Sequence, residues 1–299
     1  MVLKVSLLLF VMLLPSVFCI PSEQPFEFLQ HLEGCHKGMT MKGVHQLKRY
    51  LGRFGYLRNN EIATLANDNE FDDVLESAVK TYQLNYGLNM SGSLDSQTVK
   101  EMMKPRCGVA DIIDGQTRMA SGKSKHQHGP LYTFFEGNQK WPASQTALTW
   151  KVISKLEVVD IQVLRPILSR AFAKWAAVTH FTFSEADDTR NPEIMIGFYR
   201  LNHGDSTNFD GPGGILAHTY APPAGVSHYD ADEKWGTTDT KMDEFDLESV
   251  VLHEIGHALG LQHTAVPGAV MVSTIGPGVI KRDLQPDDIE GIRTLYNIT

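Results

Sequence analysis

Residues His253-Glu254-Ile255-Gly256-His257-Ala258-Leu259-Gly260-Leu261-Gln262-His263 constrain the fold of this chain more than any other stretch. His253 and His257 are four apart, so on a helix both imidazoles leave one face. Glu254 stands beside them, within reach of a water at a metal. Gly260 can take the left-handed conformation that ends a helix and turns the chain. His263 can then return as a third nitrogen donor. Three protein ligands leave one tetrahedral corner open, which marks a catalytic rather than a structural zinc. The plain alternative is a helix with solvated histidines. Five fixed residues in this register would arise by chance on the order of 10⁻⁴ times in a chain of this composition, which favours zinc.

The chain has 299 residues, room for about two ordinary domains and a targeting segment. A hydrophobic content of 42% is that of a globular protein, and a net charge of −8 without a basic stretch excludes nucleic acid as a partner. Lys4, the apolar run Val5 to Leu14, the breaker Pro15 and the small residues Val17 and Cys19 read as a secretory signal over residues 1–19. The run is short for a membrane anchor. No later segment is long enough to span a bilayer, and the last residues lack a lipid-anchor tail. A secreted, extracellular protein without a membrane anchor is expected. Of Cys19, Cys35 and Cys107 the last is followed by no other cysteine, so the remainder of the chain folds without disulfides. Asn89-Met90-Ser91 and Asn297-Ile298-Thr299 are glycosylation sequons, the second at the very end.

Residues 20–111 read as a helical domain. Leu47, Tyr50, Leu51 and Phe54 recur at helical spacing, as do Val74, Leu75, Ala78, Val79 and Tyr82. A last short helix follows at about Ser96 to Met103, giving a bundle of three. Residues 112–130 are polar, contain Gly and read as an exposed linker where a protease would cut. His126 and His128 within it read as solvated. Residues 131–299 mix strands and helices, an α+β pattern. Thr146 to Ile153, Phe181 to Phe183 and Ile194 to Phe198 read as strands. Leu164 to Trp175 carries a helical stripe, with Pro166 marking its start or a bend. A Gly-, Asp- and His-rich loop fills 201–236. Asp246 caps a helix through Leu247 to Ala258, and a last helix runs from about Pro286 to Tyr296.

Taken together, Pro105-Arg106-Cys107-Gly108, His203-Gly204-Asp205, Phe209-Asp210-Gly211-Pro212-Gly213-Gly214, His228-Tyr229-Asp230-Ala231-Asp232-Glu233, the extended histidine motif and Met271 resemble the matrixins. These are the matrix metalloproteinase family of metzincins, and the plant members are the most similar. The resemblance covers nearly the whole chain and leaves no residues for a C-terminal propeller. It implies a catalytic domain with a twisted, mostly parallel five-stranded sheet and three helices, preceded by a peptidoglycan-binding-like prodomain.

The function implied is a secreted zinc endopeptidase, made as a latent zymogen, that hydrolyses internal peptide bonds of extracellular, cell-wall or matrix proteins. His253, His257 and His263 would hold the catalytic zinc, with Glu254 as general base. Cys107 would fill the open corner until the prodomain leaves, with Arg106 paired to Asp111 by resemblance. His203, Asp205, His218 and His228 make three imidazoles and a carboxylate, a closed set for a structural zinc. Asp210, Asp230 and Glu233 offer hard oxygens suited to Ca²⁺, and the resemblance adds the carbonyls of Gly211, Gly213 and Ile215. The partners implied are protein or peptide substrates and an activating protease, with the enzyme a monomer. Met271 resembles the family's Met-turn, a packing residue under the zinc histidines. The sequence departs from the family where Ala110 replaces Pro and where Val272-Ser273 replaces Tyr-Pro. The second change alters the wall of the pocket for the substrate side chain after the cut bond. A binding protein that kept this fold without turnover would not need Glu254. Another metzincin subgroup would not carry Pro105-Arg106-Cys107-Gly108.

Overall fold

The computed structural model describes residues 24–58, 68–113, 119 and 132–298. The expected signal segment and nearly all of the expected linker, His126 and His128 included, lie outside the described residues. Among the described residues of the N-terminal part stand three helices, α1 (Val44–Arg53), α2 (Asp73–Asn85) and α3 (Ser96–Met102), preceded by a 3₁₀ turn at Glu27–Leu32. Asp72 and Asp95 cap α2 and α3 by accepting from Leu75 N and Thr98 N. The stripes read from the sequence point inward: Leu47, Leu51, Phe54, Leu75, Val79 and Tyr82 are buried in one cluster, while Val74 is exposed. Phe209 and Ile215, more than a hundred positions later, belong to that same cluster. The core of the N-terminal part is therefore continuous with residues at and just before β5 in the C-terminal part.

The C-terminal part is built on one sheet. Its strands are β2 (Ala147–Val152), β3 (Thr182–Glu185), β4 (Ile194–Tyr199), β5 (Ile215–Thr219) and β6 (Val226–Asp230). β2 pairs in parallel with β3 and β4, β4 in parallel with β6, and only β5 runs antiparallel, against β6. A two-residue strand, β1 (Arg106–Cys107), pairs in parallel with β5. The five-stranded sheet thus gains a sixth, edge strand from the N-terminal part, in the order β1-β5-β6-β4-β2-β3. A small parallel pair, β7 (Trp235–Gly236) and β8 (Phe245–Asp246), stands apart.

Three helices complete this part: α4 (Ile161–Ala176), α5 (Leu247–Ala258) and α6 (Pro286–Tyr296). Helix α4 starts three residues before the expected stripe, because Asp160 caps it through Gln162 N, and Pro166 sits inside it. The expected loop over 201–236 is corrected more deeply: it contains β5, β6 and β7. Strand β5 is buried at every position, so it shows no alternation, and its Gly and His neighbours disguise it. Every residue of α5 is buried, as a helix between a sheet and other helices must be. The α4 ring of Trp175 donates from Nε1 to Leu252 O at 2.9 Å, which fixes α5 against it.

Candidate active site

Helix α5 is anchored at both ends. Asp246 Oδ1 accepts from Ser249 N (2.9 Å), and Arg282 Nε reaches the same oxygen at 3.0 Å. At the far end, Trp141 Nε1 donates to Ala258 O and Tyr296 Oη to Leu259 O, so carbonyls that a helix leaves unpaired are satisfied. Gly260 follows with φ +101°, the left-handed value expected. A Cβ there would collide with Gln139 O.

This framework brings His253, His257 and His263 together, all buried. Each Nδ1 faces an acceptor: Val270 O at 2.7 Å, Leu261 O at 2.8 Å and Asp111 Oδ1 at 2.8 Å. Carbonyl and carboxylate oxygens only accept, so each Nδ1 carries the proton and each Nε2 is a bare lone pair. The three Nε2 atoms nevertheless converge. His257 Nε2 lies 3.0 Å from that of His253 and 3.3 Å from that of His263. Cys107 Sγ lies 3.5 Å from His257 Nε2. Lone pairs so close repel unless a cation stands between them. A tetrahedral zinc with ordinary bond lengths sets N···N edges of about 3.3 Å and N···S edges of about 3.6 Å, so the donor set fits. Burial lowers all three imidazoles, His253 to about 3, which keeps them neutral and able to bind metal.

Cys107 is held by backbone on both sides. Its N donates to Ser273 O (2.8 Å), Arg106 N to Gly214 O (2.7 Å) and Gly108 N to Ala217 O (2.7 Å). Without a cation, burial and the nearby Glu254 push the thiol well above its ordinary value. Val109 N points at the sulfur from 3.4 Å.

Glu254 is fully buried, and burial raises its carboxyl to about 7. Thr219 Oγ1, at the end of β5, donates to Oε2 at 2.7 Å. Oε1 is buried without a hydrogen bond of ordinary geometry. The cleft beside it is lined by Leu216, Val250, Val270, Val272 and Ile275, with Lys281.

Arg106 and Asp111 form the buried pair that the resemblance implied. Nη2 lies 2.7 Å from Oδ1 and Nη1 3.1 Å from Oδ2, and the guanidinium stacks 3.5 Å over Phe54. Tyr56 and Tyr86 also donate to Oδ2, at 2.8 and 3.0 Å. Burial alone would raise Asp111, but Arg106 and His263 override it and hold the carboxyl well below the usual carboxylate range.

A second donor cluster is as expected. His203 Nε2, His218 Nε2 and His228 Nδ1 lie 3.0, 2.8 and 2.9 Å from Asp205 Oδ2. Burial lowers His218 to about 4, so it too is neutral. Among the described residues, only these two clusters gather at least three such donors within 4.8 Å. Asp210, Asp230 and Glu233 are neighbours but do not meet that spacing. Burial first, then mutual repulsion for Asp230 and Glu233, raises their carboxyls to about 6, 7 and 8. Asp210 Oδ1 accepts from Ile215 N and Glu233 Oε1 from Gly213 N, while Asp230 Oδ2 is buried without a partner. Two buried acids and one half-buried one, all with raised values, suit a hard cation between them.

Several residues at the site went unread in the sequence. Thr219 orients Glu254, yet a Thr after a His signals nothing. Asp288 accepts from Val270 N and Met271 N, at 2.9 and 3.0 Å, and so braces the turn beneath the histidines. Its place in the first turn of α6 gives no sign of that role. Met271 packs there, against the Cα of Gly256, where a Cβ would strike its sulfur.

A sequence model of the matrixin family matches residues 140–297, and one described as a peptidoglycan binding domain matches 40–102. The chain is 40% identical to Metalloendoproteinase 5-MMP of Arabidopsis thaliana, over 94% of this chain and 79% of the relative. It is 43% identical to Metalloendoproteinase 1 of Glycine max, over 88% and 85%. To Matrilysin of Homo sapiens it is 32% identical, over 98% and 96%. With its buried histidine triad and its helical N-terminal domain, the chain belongs to the matrixin family and is a zinc metalloendopeptidase.

Proposed function

We propose that the structure is the latent form of a secreted endopeptidase, in which His253, His257 and His263 hold the catalytic zinc and Cys107 is its fourth ligand. The convergence of three bare Nε2 atoms with one sulfur carries this reading. When bound, zinc supplies a Lewis acid that acidifies water and polarises a scissile carbonyl. Glu254 takes a proton from the attacking water and hands it to the departing amine. A carboxyl raised to about 7 suits both halves of that transfer. Thr219 keeps one oxygen of Glu254 occupied and leaves Oε1 for the water. The apolar cleft beside Glu254 receives the side chain that follows the cut bond.

Residues 1–19 are then a cleaved signal, 20–111 a prodomain, 112–130 the activation linker cut by another protease, and 131–299 the catalytic domain. The His203–Asp205–His218–His228 cluster holds a structural zinc. Asp210, Asp230 and Glu233, with the carbonyls of Gly211, Gly213 and Ile215, hold Ca²⁺. The enzyme acts outside the cell as a monomer, and Asn89, which is exposed, carries a glycan. Among the described residues no helix is long and apolar enough to cross a membrane.

The test is expression from residue 20 onward, followed by treatment with a thiol-capturing mercurial. Peptide cleavage should appear on treatment, vanish with a chelator, and fall about 10²- to 10⁴-fold in Glu254→Gln. Activity that survives chelation would overturn the reading.

A further inference from the structure

The three histidines differ in what holds them. His253 and His257 lean on Val270 O and Leu261 O, backbone atoms of the catalytic part itself. His263 leans on Asp111, which lies in the prodomain segment just after Cys107. From its own body, among the described residues, the hydrogen bond that holds it goes to its backbone, from Thr133 Oγ1 to His263 O at 2.7 Å. A carboxylate is a stronger acceptor than a carbonyl. A metal-binding histidine with such a partner is fixed in tautomer and orientation and becomes a better donor.

We propose that Asp111 is the positioning partner of His263, so that part of the zymogen's grip on zinc belongs to the prodomain and departs with it. This rests on the zinc reading above. Asp111 is suited to the task because nothing about it is free to move. Oδ1 accepts from Arg106 Nη2 and His263 Nδ1, and Oδ2 from Tyr56, Tyr86 and Arg106 Nη1. Both residues are fully buried, so no water competes for the bond. Arg106 thus does more than lock the inhibitory loop, since it holds the carboxylate at the angle His263 needs. Activation then removes two supports from the metal at once: the sulfur of Cys107 and the carboxylate behind His263.

The test uses the full-length zymogen, with histidine ring protons followed by ¹H–¹⁵N NMR and zinc affinity measured by competition with a chromogenic chelator. The Nδ1–H signals of His253, His257 and His263 should be exchange-protected, that of His263 farthest downfield of the three. Prodomain removal should abolish the protection of His263 and leave that of His253 and His257. Asp111→Asn should shift it upfield and weaken zinc binding about 10- to 100-fold. The comparison is made in a Cys107→Ala background, so that sulfur does not contribute. Tyr56→Phe, which also loosens Asp111 but leaves the carboxylate on His263, controls for prodomain docking and should cost less zinc affinity. Should Asp111→Asn fail to fold, the selective loss of one protected proton on prodomain removal decides the matter. The inference is overturned if the His263 signal survives prodomain removal, or if Asp111→Asn weakens zinc no more than Tyr56→Phe does. A zymogen that binds no zinc at the three histidines would instead refute the underlying reading.

Discussion

The Tyr86 hydroxyl lies 2.7 Å from Ser273 Oγ, a residue 187 positions further along the chain. Ser273 also accepts Cys107 N through its carbonyl. One residue, Ser273, therefore ties the C-terminal end of α2 and strand β1 to the wall of the cleft. Tyr86 continues the chain of contacts to Asp111 and Arg106.

Removing that hydroxyl should loosen latency. Tyr86→Phe loses buried hydrogen bonds worth about 0.5–1.5 kcal/mol each. Two of them correspond to a roughly 5- to 100-fold larger open population. Peptide cleavage by the untreated zymogen should rise accordingly, and an unchanged background would show that the contact carries no latency.

Arg106→Lys should be more severe. Lysine lacks the planar fork that engages both Asp111 oxygens and stacks on Phe54. Breaking a buried ion pair costs about 3–5 kcal/mol. Cys107, now 5% exposed, should react quickly with a thiol reagent in this variant. Labelling as slow as in the parent would contradict the role of the pair.

Gly260→Ala should damage the metal site without touching a donor. Its φ of +101° is unfavourable for alanine, and the new methyl group meets Gln139 O. A loss of more than about 1 kcal/mol in stability is expected, together with weaker zinc binding as His263 shifts. Thermal unfolding and metal titration check both.

Acid should undo the cap of the active-site helix. Burial would raise Asp246, but Arg282, Ser249 and Thr240 prevail and hold its carboxyl below the ordinary value. A carboxyl depressed in the folded state contributes stability that is full above its unfolded value, about 3.9. That contribution fades as pH falls through the folded value. Stability of the parent should therefore drop below about pH 4. Asp246→Asn should start lower and show a shallower decline, measured by denaturant unfolding across pH. Parallel profiles would contradict the assignment.

How much of this was legible in the sequence depends on range. Helices α1, α2 and α4 were readable because their apolar spacing is local, α5 because Asp246 caps it, and the histidine motif because a helix and one glycine suffice to assemble it. Strand β5 was not, since full burial erases alternation and a run containing His218 between glycines reads as loop. The roles of Thr219, Tyr86, Ser273 and Asp288 were invisible because each acts on a residue that only the fold brings near. The Asp111–His263 contact spans 152 positions and has no local signature. Asp210, Asp230 and Glu233 were readable as residue types, but their looser convergence was not.

The central claim is that sulfur completes a three-imidazole donor set in the latent protein. X-ray absorption at the zinc edge of the intact zymogen tests it most directly. Because the second cluster also binds zinc on this account, the spectra are compared with those of Cys107→Ser. The account predicts one sulfur at about 2.3 Å from one zinc in the parent, with nitrogens at about 2.0–2.1 Å. That sulfur should be absent in Cys107→Ser and lost on prodomain removal. A parent zymogen with zinc bound at the three histidines and no sulfur neighbour would contradict it.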